Sequence, residues 1–470
     1  MPCSERDLED YYRTLYPVEA VAWLVNGPDA PLAQREFAAE GAYYKRYISA
    51  RSASELRAAL LQVPGLKAPQ IGPVYSGAVT RTGFQGGELA PEQYSRPHRR
   101  ELIFDVDLTD YEFLDLSGPT AGDPTGLNLE ACDRAWPVAG LAVFFLKYLL
   151  REHLGFCEFL VVYSGRRGVH LWVLDDAALL LSDEARGAIA SFVNFAPDKS
   201  KTRASSSMRQ FCQTYDVLDA VWDAFESILV EGMGLLDDVG ARESFVERLA
   251  LAGEGLEHLA DEAGRKSDGV AAWKYIKTKV FDAAKRHSKR GWFVERLQEV
   301  VIAYVWPRID FNVTKAVNHL IKSPLVAHPK TGRIAVPVPR DEVLAFDPSC
   351  VPKLGDADLA ERLASRSCSL QLARSREPPL NAVALPRRGK QRAAKGSRRR
   401  QQQQQQAPAD APPPLVDVED VVFPMDEVEG PRPREVDRLR HPGLRFEDPR
   451  RRAFVPNRPS PLAEGGSTRG

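Results

Sequence analysis

The stretch Glu101–Tyr111, ELIFDVDLTDY, constrains this chain more than any other. Three apolar residues lead directly into Asp105-Val106-Asp107, a pattern that is typical of a β-strand ending in polar residues. Because side chains alternate along a strand, Asp105 and Asp107 share one face while Val106 points towards a core. Two carboxylates this close repel each other, which raises one pKa or requires a cation between them. Mg²⁺ prefers one or two carboxylates together with waters and substrate phosphates. The stretch predicts a metal site, and the alternative is a strand end whose aspartates face solvent.

Length and composition place the chain among globular proteins of two or three domains. It has 470 residues, of which 44% are hydrophobic and 27% charged, so it can bury an ample core. The formal net charge of -1 does not identify a partner, and the distribution of charge must be considered instead. The six cysteines are scattered without pairing, which suits a reducing compartment. No apolar signal segment opens the chain, and the longest apolar run, 137–150, is short and contains Lys147. We therefore expect a soluble intracellular protein.

A second motif lies at 159–173, FLVVYSGRRGVHLWV. Two apolar strands flank a basic turn with a glycine on each side, which predicts a hairpin whose backbone approaches a ligand closely. Arginine offers a planar fork for phosphate oxygens, and a histidine adds a donor of adjustable charge. The residues that would form a polyphosphate pocket are Ser164, Arg166, Arg167 and His170. The alternative is a solvated turn with a histidine at its rim.

A third dense region spans 306–338. Asp310 lies near Arg308 in a short strand-like segment. Three basic residues then recur at helical spacing and predict one face of a helix that Ser323-Pro324 ends: Lys315, His319 and Lys322. His328 closes the first strand of a predicted hairpin with a Pro- and Gly-containing turn. These groups are typical of the remaining wall of a metal–nucleotide site, and the alternative is a solvated basic helix beside an ordinary hairpin.

The rest of the chain is less informative. Residues 183–299 have mainly helical periodicity, and their basic run 274–290 either follows a nucleic-acid backbone or forms a solvated helix face. Residues 375–470 are rich in Pro, Arg and Gln, a composition typical of disorder. Within them 387–400 holds eight basic residues and no acidic one, which resembles a nuclear localisation or nucleic-acid-binding segment.

Four segments in order, REF at 35–37, ELIFDVDLTDY at 101–111, SGRRGVHLWV at 164–173 and RIDFNVTKAVNHLIKSPLVAHPKTGRIAVPV at 308–338, carry a family resemblance. Together they resemble the small catalytic subunit of the archaeal and eukaryotic DNA primases, over about residues 5–355 except the weakly matching 185–295. The resemblance implies an α/β (α+β) fold: a primase-type catalytic domain with a mixed sheet core, an inserted helical subdomain and a disordered C-terminal tail. We expect the catalytic domain at 1–190 and 301–355, the helical subdomain at 191–300 and the tail at 356–470.

The same resemblance implies a role for each residue that matches the motifs. Asp105, Asp107 and Asp310 would bind divalent metals, and Glu36 would be a catalytic acid beside Asp105 and Asp107. Without the resemblance, Glu36 is an ordinary surface glutamate. The nucleotide would be bound by the remaining polar residues of the motifs: Ser164, Arg166, Arg167, His170, His319, Lys322 and His328.

The chain departs from the family at one place. The family usually carries a small cysteine zinc site after the acidic strand, where this sequence has only Cys132. One cysteine cannot complete a four-ligand structural zinc site, so we expect no zinc. His153 and Cys157 downstream leave an irregular zinc site as the alternative.

The function implied is that of a DNA primase catalytic subunit, a nucleotidyltransferase that makes short RNA primers on a DNA template for replication. Its cofactor would be Mg²⁺ or Mn²⁺ in a two-metal site. Its partners would be the DNA template, ribonucleoside triphosphates, a primase large subunit and the replicative DNA polymerase alpha complex, in the nucleus and without a membrane. Two alternatives stay open: a primase-polymerase relative in repair or lesion bypass, and a nucleic-acid-binding module that has lost catalysis.

Overall fold

The computed structural model describes residues 3–26, 32–79, 95–118, 126–194, 206–251, 256–286, 290–340 and 342–374. Helices and two antiparallel sheets share these residues, and the expected α+β class is confirmed. The segment 375–470, for which the sequence predicts disorder, lies outside the described residues.

The strands, numbered in chain order, are β1 Arg35–Glu40, β2 Tyr44–Ile48, β3 Ala68–Tyr75, β4 Pro97–Arg99, β5 Leu102–Asp107, β6 Phe159–Tyr163, β7 Gly168–Val173, β8 Ile321–Lys322 and β9 Pro337–Val338. The helices are α1 Glu5–Asp10, α2 Val18–Asn26, α3 Ala53–Leu60, α4 Leu129–Arg134, α5 Trp136–Leu154, α6 Asp176–Leu179, α7 Asp183–Val193, α8 Ser206–Thr214, α9 Leu218–Ala224, α10 Val239–Leu249, α11 Leu259–Gly264, α12 Gly269–Arg286, α13 Arg290–Val305, α14 Phe311–Lys315 and α15 Leu359–Arg374.

The strands form two sheets that differ in strand order. The first has strand order β2-β1-β3-β4, and the short strand β8 also pairs with β3. The second has strand order β5-β7-β6-β9, with the hairpin β6–β7 at its centre. β6 and β7 are buried along their whole lengths, which matches their continuous apolar sequence. In β5 the apolar residues are buried, whereas Asp105 and Asp107 near its C-terminal end are half-buried and partly accessible to solvent.

The central helix α5 covers the second sheet. Pro137 stands in its first turn, where its missing N–H costs nothing, and Gly155 ends it in the left-handed conformation (φ 75°). Its apolar side chains from Trp136 to Leu150 are largely buried against β5, β7 and α13. The sequence predicts one helix over 131–153, whereas the structure has two, α4 and α5, separated by Ala135.

The helices α8 to α13 form a bundle around aromatic side chains. The helical spacing of Trp273, Ile276 and Val280 in the sequence predicts an apolar stripe that faces the core, and all three are buried on α12. On α13, Leu297, Val301 and Tyr304 are buried as well. None of the described helices is both long enough and apolar enough to cross a lipid bilayer.

One predicted helix is wrong. Lys315, His319 and Lys322 do not share a helix face, because α14 ends at Lys315 and Ala316 is already extended (ψ 119°). Lys322 lies on β8 opposite Gln70 of β3, so strand pairing with a distant segment overrides the local helical spacing. Asp310, expected on a strand-like segment, is the N-cap residue of α14.

Candidate active site

The acidic end of β5 faces the glycine-bounded hairpin. In the antiparallel register Asp105 lies opposite His170 and Asp107 lies opposite Gly168. Phe104 and Val106 are fully buried on the other side, as strand alternation predicts. The aspartates therefore project from a rigid strand towards the side on which the arginine turn lies.

Packing of α14 on β5, with one backbone hydrogen bond between them, brings the third carboxylate to this place. The N–H of Asp310 donates a hydrogen bond to the carbonyl oxygen of Asp105 (2.9 Å). The Asp310 side chain caps α14, where Oδ1 accepts from the N–H groups of Asn312 (2.9 Å) and Val313 (3.3 Å). Arg308 ties the two segments together, since it contacts Glu112, and its backbone N–H donates to the Tyr111 hydroxyl (3.1 Å). Asp105, Asp107 and Asp310 thus converge, and we call them the acidic centre.

The acidic centre carries unfavourable electrostatics. Burial raises the pKa of Asp105, and the charges of Asp107 and Asp310 raise it further. His170 acts in the opposite direction, with its Nε2 3.6 Å from Asp105 Oδ1. Burial lowers the pKa of His170, so the imidazole is mainly neutral at pH 7. The Nδ1 atom of His170 is buried and has no hydrogen-bond partner among the described residues.

Asp107 is held by two partners on its own side of the sheet. Its Oδ2 pairs with Arg167 Nε at 2.8 Å, and its Oδ1 accepts from the Thr109 N–H (2.9 Å) and hydroxyl (2.7 Å). The pair is about one-third exposed, so an incoming anion can reach the Arg167 guanidinium. The predicted arginine turn and the predicted acidic strand are therefore in direct contact.

The arginine turn packs on the segment that carries His328. Gly165 has φ 88°, and a Cβ atom there would lie 2.9 Å from His328 Cβ, which explains why this position needs glycine. The Thr331 hydroxyl donates to the Gly165 carbonyl oxygen (2.8 Å). Ser164 Oγ accepts from the Gly168 N–H (3.0 Å), which closes the turn. The two predicted hairpins thus form one wall.

This wall is strongly cationic. Burial lowers the pKa of His328 to about 3, and Lys322, Arg166, Lys330 and Arg167 lower it too. His328 is therefore neutral at physiological pH and can accept or donate only as a neutral imidazole. Lys322 also lowers the pKa of Asp105 and of His170, so its ammonium lies within electrostatic reach of the acidic centre as well as of His328.

Glu36 is not the surface residue that its local sequence indicates. It is fully buried on β1 and accepts from Arg46 Nε (2.9 Å) and Nη2 (3.2 Å) and from the Tyr75 hydroxyl (2.9 Å). Arg46 in turn donates to the carbonyl oxygen of Asn318 (3.2 Å), which lies four residues before Lys322. Glu36 also accepts from the Tyr47 N–H (3.3 Å). In the described part of the chain, none of its hydrogen bonds is with the acidic centre.

In the described part of the chain, the hydrogen bonds of His319 are with its own neighbours and not with the other nucleotide candidates. Its Nδ1 is 2.8 Å from the Leu320 carbonyl oxygen, and its ring is partly exposed in the turn after α14. Sequence reasoning missed several residues that hold the site together. Thr331 and Arg308 lie within the motif at 308–338, and Arg46 lies in the stretch 43–48, whose residues alternate as in a strand. Their polar residue types and these positions could have identified all three from the sequence.

The donor set suits a hard divalent cation. Carboxylate oxygens are the ligands that Mg²⁺ and Mn²⁺ prefer, and a cation would offset the repulsion that raises the pKa of Asp105. Among the described residues, no three His, Cys, Asp or Glu side chains already form a ready-made metal cage. Mg²⁺ is usually held by one or two carboxylates plus substrate phosphates rather than by such a cage, so the acidic centre fits this use.

Comparison with known proteins identifies the family of this chain. The profile of the DNA primase small subunit family matches residues 104–339. The DNA primase small subunit of Drosophila melanogaster is 31% identical over 364 residues, which cover 73% of this chain and 78% of that protein. The Schizosaccharomyces pombe protein of the same name is 29% identical over 361 residues, 74% of this chain and 75% of its own length. An archaeal relative, DNA primase small subunit PriS of Halorubrum lacusprofundi, is 27% identical over 271 residues, 54% of this chain and 67% of its length. The chain belongs to the DNA primase small subunit family.

Proposed function

We propose that the acidic centre and the cationic wall beside it form the catalytic site of a DNA primase. The chain is the catalytic subunit, a nucleotidyltransferase that synthesises short RNA primers on a DNA template for replication. The observation that carries the site assignment is the hydrogen bond from the Asp310 N–H to the Asp105 carbonyl oxygen, because it unites motifs that are far apart in sequence.

In this proposal Asp105, Asp107 and Asp310 hold the divalent cations. Such cations, when bound, neutralise charge on the attacking and leaving oxygens of a phosphoryl transfer. The 3′-hydroxyl oxygen of one nucleotide attacks the α-phosphorus of the next and gives up its proton. The bond between that phosphorus and the oxygen that bridges it to the β-phosphate breaks, and pyrophosphate leaves. The protein contributes positioning and electrostatics rather than a covalent intermediate.

The cationic wall receives the triphosphate. Arg167 provides a planar fork for two phosphate oxygens and is itself oriented by Asp107. Arg166 and Lys322 lie within electrostatic reach of His328, since both lower the pKa of its imidazole, and the proposal assigns all three to the phosphates. Ser164 and the neutral His170 add hydrogen-bonding groups at its edge. His319 and Glu36 take part less directly, with Glu36 orienting Arg46 beside the segment that leads to Lys322.

The division of the chain and its associations complete the proposal. The helices from α8 to α13 would form the inserted subdomain, between two parts of the catalytic domain. Family membership implies divalent-metal use, a large-subunit partner, and DNA and nucleotide substrates. We further propose Mg²⁺ or Mn²⁺ as the metal, no structural zinc at Cys132, assembly with the DNA polymerase alpha complex, and location in the nucleus.

The test is primer synthesis from single nucleotides. The purified chain, alone and with a large subunit, is given a poly-pyrimidine DNA template, labelled ribonucleotides and Mg²⁺ or Mn²⁺, without a primer. We expect metal-dependent products that vanish in the Asp105→Asn/Asp107→Asn double variant, whose fold is checked by circular dichroism. A folded double variant with wild-type activity would refute the site.

The same assay separates the alternatives. A repair or bypass enzyme would extend a supplied primer with deoxynucleotides better than it starts a chain with ribonucleotides. A binding module without catalysis would retain template, with an affinity that falls steeply with salt, and incorporate no label.

A further inference from the structure

Three tyrosines near the N-terminus lie against the segment that carries Lys322 and His328. Tyr11, Tyr12 and Tyr16 are each no more than 2% exposed. Their rings pack on one another with centroids 5.2 Å (Tyr11–Tyr12), 5.4 Å (Tyr12–Tyr16) and 6.2 Å (Tyr11–Tyr16) apart. Core packing alone does not require a hydroxyl on any of them. A buried tyrosine hydroxyl must in addition find a hydrogen-bond partner.

The backbone around these residues is unusual. Tyr11–Leu15 forms a turn of π-helix, in which the Tyr16 N–H donates to the Tyr11 carbonyl oxygen (2.8 Å). In a regular α-helix, residues five apart point about 140° away from each other. The π turn instead lets the rings of Tyr11 and Tyr16 contact each other on one side. Such turns are rare and occur often at functional sites.

The three hydroxyls reach alternate residues of one segment. The Tyr16 hydroxyl donates to Ser323 Oγ (2.7 Å), and the Tyr11 hydroxyl donates to the Leu325 carbonyl oxygen (2.6 Å). The Tyr12 hydroxyl lies 3.4 Å from the Ala327 carbonyl oxygen and donates mainly to that of Lys67 (2.8 Å). The contacted positions, 323, 325 and 327, are those between Lys322 and His328.

The contacted segment has a conformation that must be held in place. Leu325 has φ 63°, a left-handed value that a leucine rarely adopts. Its N–H donates to the Ala335 carbonyl oxygen (2.7 Å), and its carbonyl oxygen accepts from Tyr11. Strained residues of this kind persist only where the surroundings over-determine them. Leu325 lies midway in sequence between Lys322 and His328, so its conformation contributes to the spacing of these two residues.

We propose that Tyr11, Tyr12 and Tyr16 form a tyrosine clasp that positions Lys322 and His328 for the phosphates of the incoming nucleotide. The tyrosines touch no substrate and act through the segment they hold. This inference rests on the proposed function, because it takes Lys322 and His328 as nucleotide contacts. It adds that the segment Tyr11–Tyr16, which follows α1, contributes to the affinity of the enzyme for nucleoside triphosphates.

The test is a double-mutant cycle on the Tyr16–Ser323 hydrogen bond in the full-length chain. Tyr16→Phe and Ser323→Ala each remove one partner, and Tyr16→Phe keeps the ring. We expect each single variant to raise the KM for ribonucleotide about fivefold, the effect of about one net hydrogen bond, with kcat changed less. The double variant should show about the KM of Ser323→Ala alone, because Ser323→Ala removes the bond that Tyr16→Phe removes as well as the bond from the Ser323 hydroxyl to the Pro324 carbonyl oxygen (3.1 Å).

Tyr275→Phe is the matched control. Its hydroxyl contacts Glu262 in the helical bundle, so its loss also removes one tyrosine hydrogen bond. We expect a similar change in melting temperature and an unchanged nucleotide KM. Template affinity, measured by fluorescence anisotropy with labelled DNA, should be unchanged in all variants.

Three results would overturn the clasp, and the first two are a folded Tyr16→Phe variant with the wild-type KM and KM effects of Tyr16→Phe and Ser323→Ala that multiply in the double variant. A proportional loss of template affinity would also overturn it, because that would indicate general loosening of the fold. A wild-type chain that neither binds ribonucleotide nor makes primers would instead refute the proposed function.

Discussion

Asp310 has two roles that a pair of substitutions can separate. Its charge belongs to the acidic centre, and its Oδ1 caps α14 through the N–H groups of Asn312 and Val313. Asparagine caps a helix about as well as aspartate, whereas alanine cannot cap it. Asp310→Asn therefore removes the charge and keeps the cap, and Asp310→Ala removes both.

The magnitudes follow from these contacts. Loss of the cap in Asp310→Ala should lower the free energy of unfolding by about 1 kcal/mol, and Asp310→Asn should lower it by much less. Loss of one carboxylate of the proposed metal site should remove roughly 3 kcal/mol or more of transition-state stabilisation, so both variants should lose at least about 100-fold in kcat/KM. The backbone N–H that donates to Asp105 remains in both variants.

Primer synthesis measures the activity of the three proteins, and thermal or urea unfolding measures their stability. Equal inactivity with unequal stability is the expected pattern. The reasoning would be refuted by a folded Asp310→Asn variant within tenfold of wild-type activity. It would be refuted equally if Asp310→Ala were inactive and Asp310→Asn active, because Asp310 would then matter only as a cap.

Three further predictions follow from the same site. Burial raises the pKa of Asp105 in the folded state, so the charged carboxylate lowers the stability of the fold above that pKa. Asp105→Asn should therefore melt roughly 1–3 °C higher than wild type at pH 7 without metal. That gain should disappear once the pH falls below about 3.9, where the carboxyl is protonated in both states, and a gain that persists there would contradict the cause. Because burial lowers the pKa of His328 to about 3, the wild type should lose up to about 1.4 kcal/mol of stability per pH unit as the pH falls below about 6.5. His328→Gln should lose less over the same range in pH-dependent urea unfolding, and parallel curves would argue against a buried neutral imidazole. Gly165→Ala and Gly155→Ala both place alanine at a positive φ, which costs about 1–2 kcal/mol at each site. Gly155 has open space around it, whereas a Cβ at Gly165 would also lie 2.9 Å from His328 Cβ, so Gly165→Ala should cost more stability and only Gly165→Ala should raise the nucleotide KM. Steady-state kinetics on both variants checks this, and equal KM values would show that the contact with His328 is unimportant.

The parts of the site that lie within one local element were predictable from the sequence. The shared face of Asp105 and Asp107 follows from strand alternation, and the structure has both half-buried at the open end of β5. The hairpin with Ser164 to Arg167 at its turn follows from two apolar runs around a glycine-bounded basic segment. Both depend on interactions between near neighbours in the chain.

Other features depend on segments that are distant in sequence. Glu36 is expected at the surface from its neighbours, yet Arg46 and Tyr75 from two other strands bury and satisfy it. Lys322 has helical spacing from Lys315, yet pairing of β8 with β3 makes it part of a strand. No local pattern contains the partner that decides either outcome.

The sequence by itself determined that this chain carries paired carboxylates on a strand and a basic, glycine-bounded turn, since periodicity and turn chemistry are local properties. Only the tertiary structure decided that Asp310 lies beside Asp105 and that Gly165 lies under His328. The physical reason is that hydrogen bonds and close packing between remote segments form only when the whole core assembles.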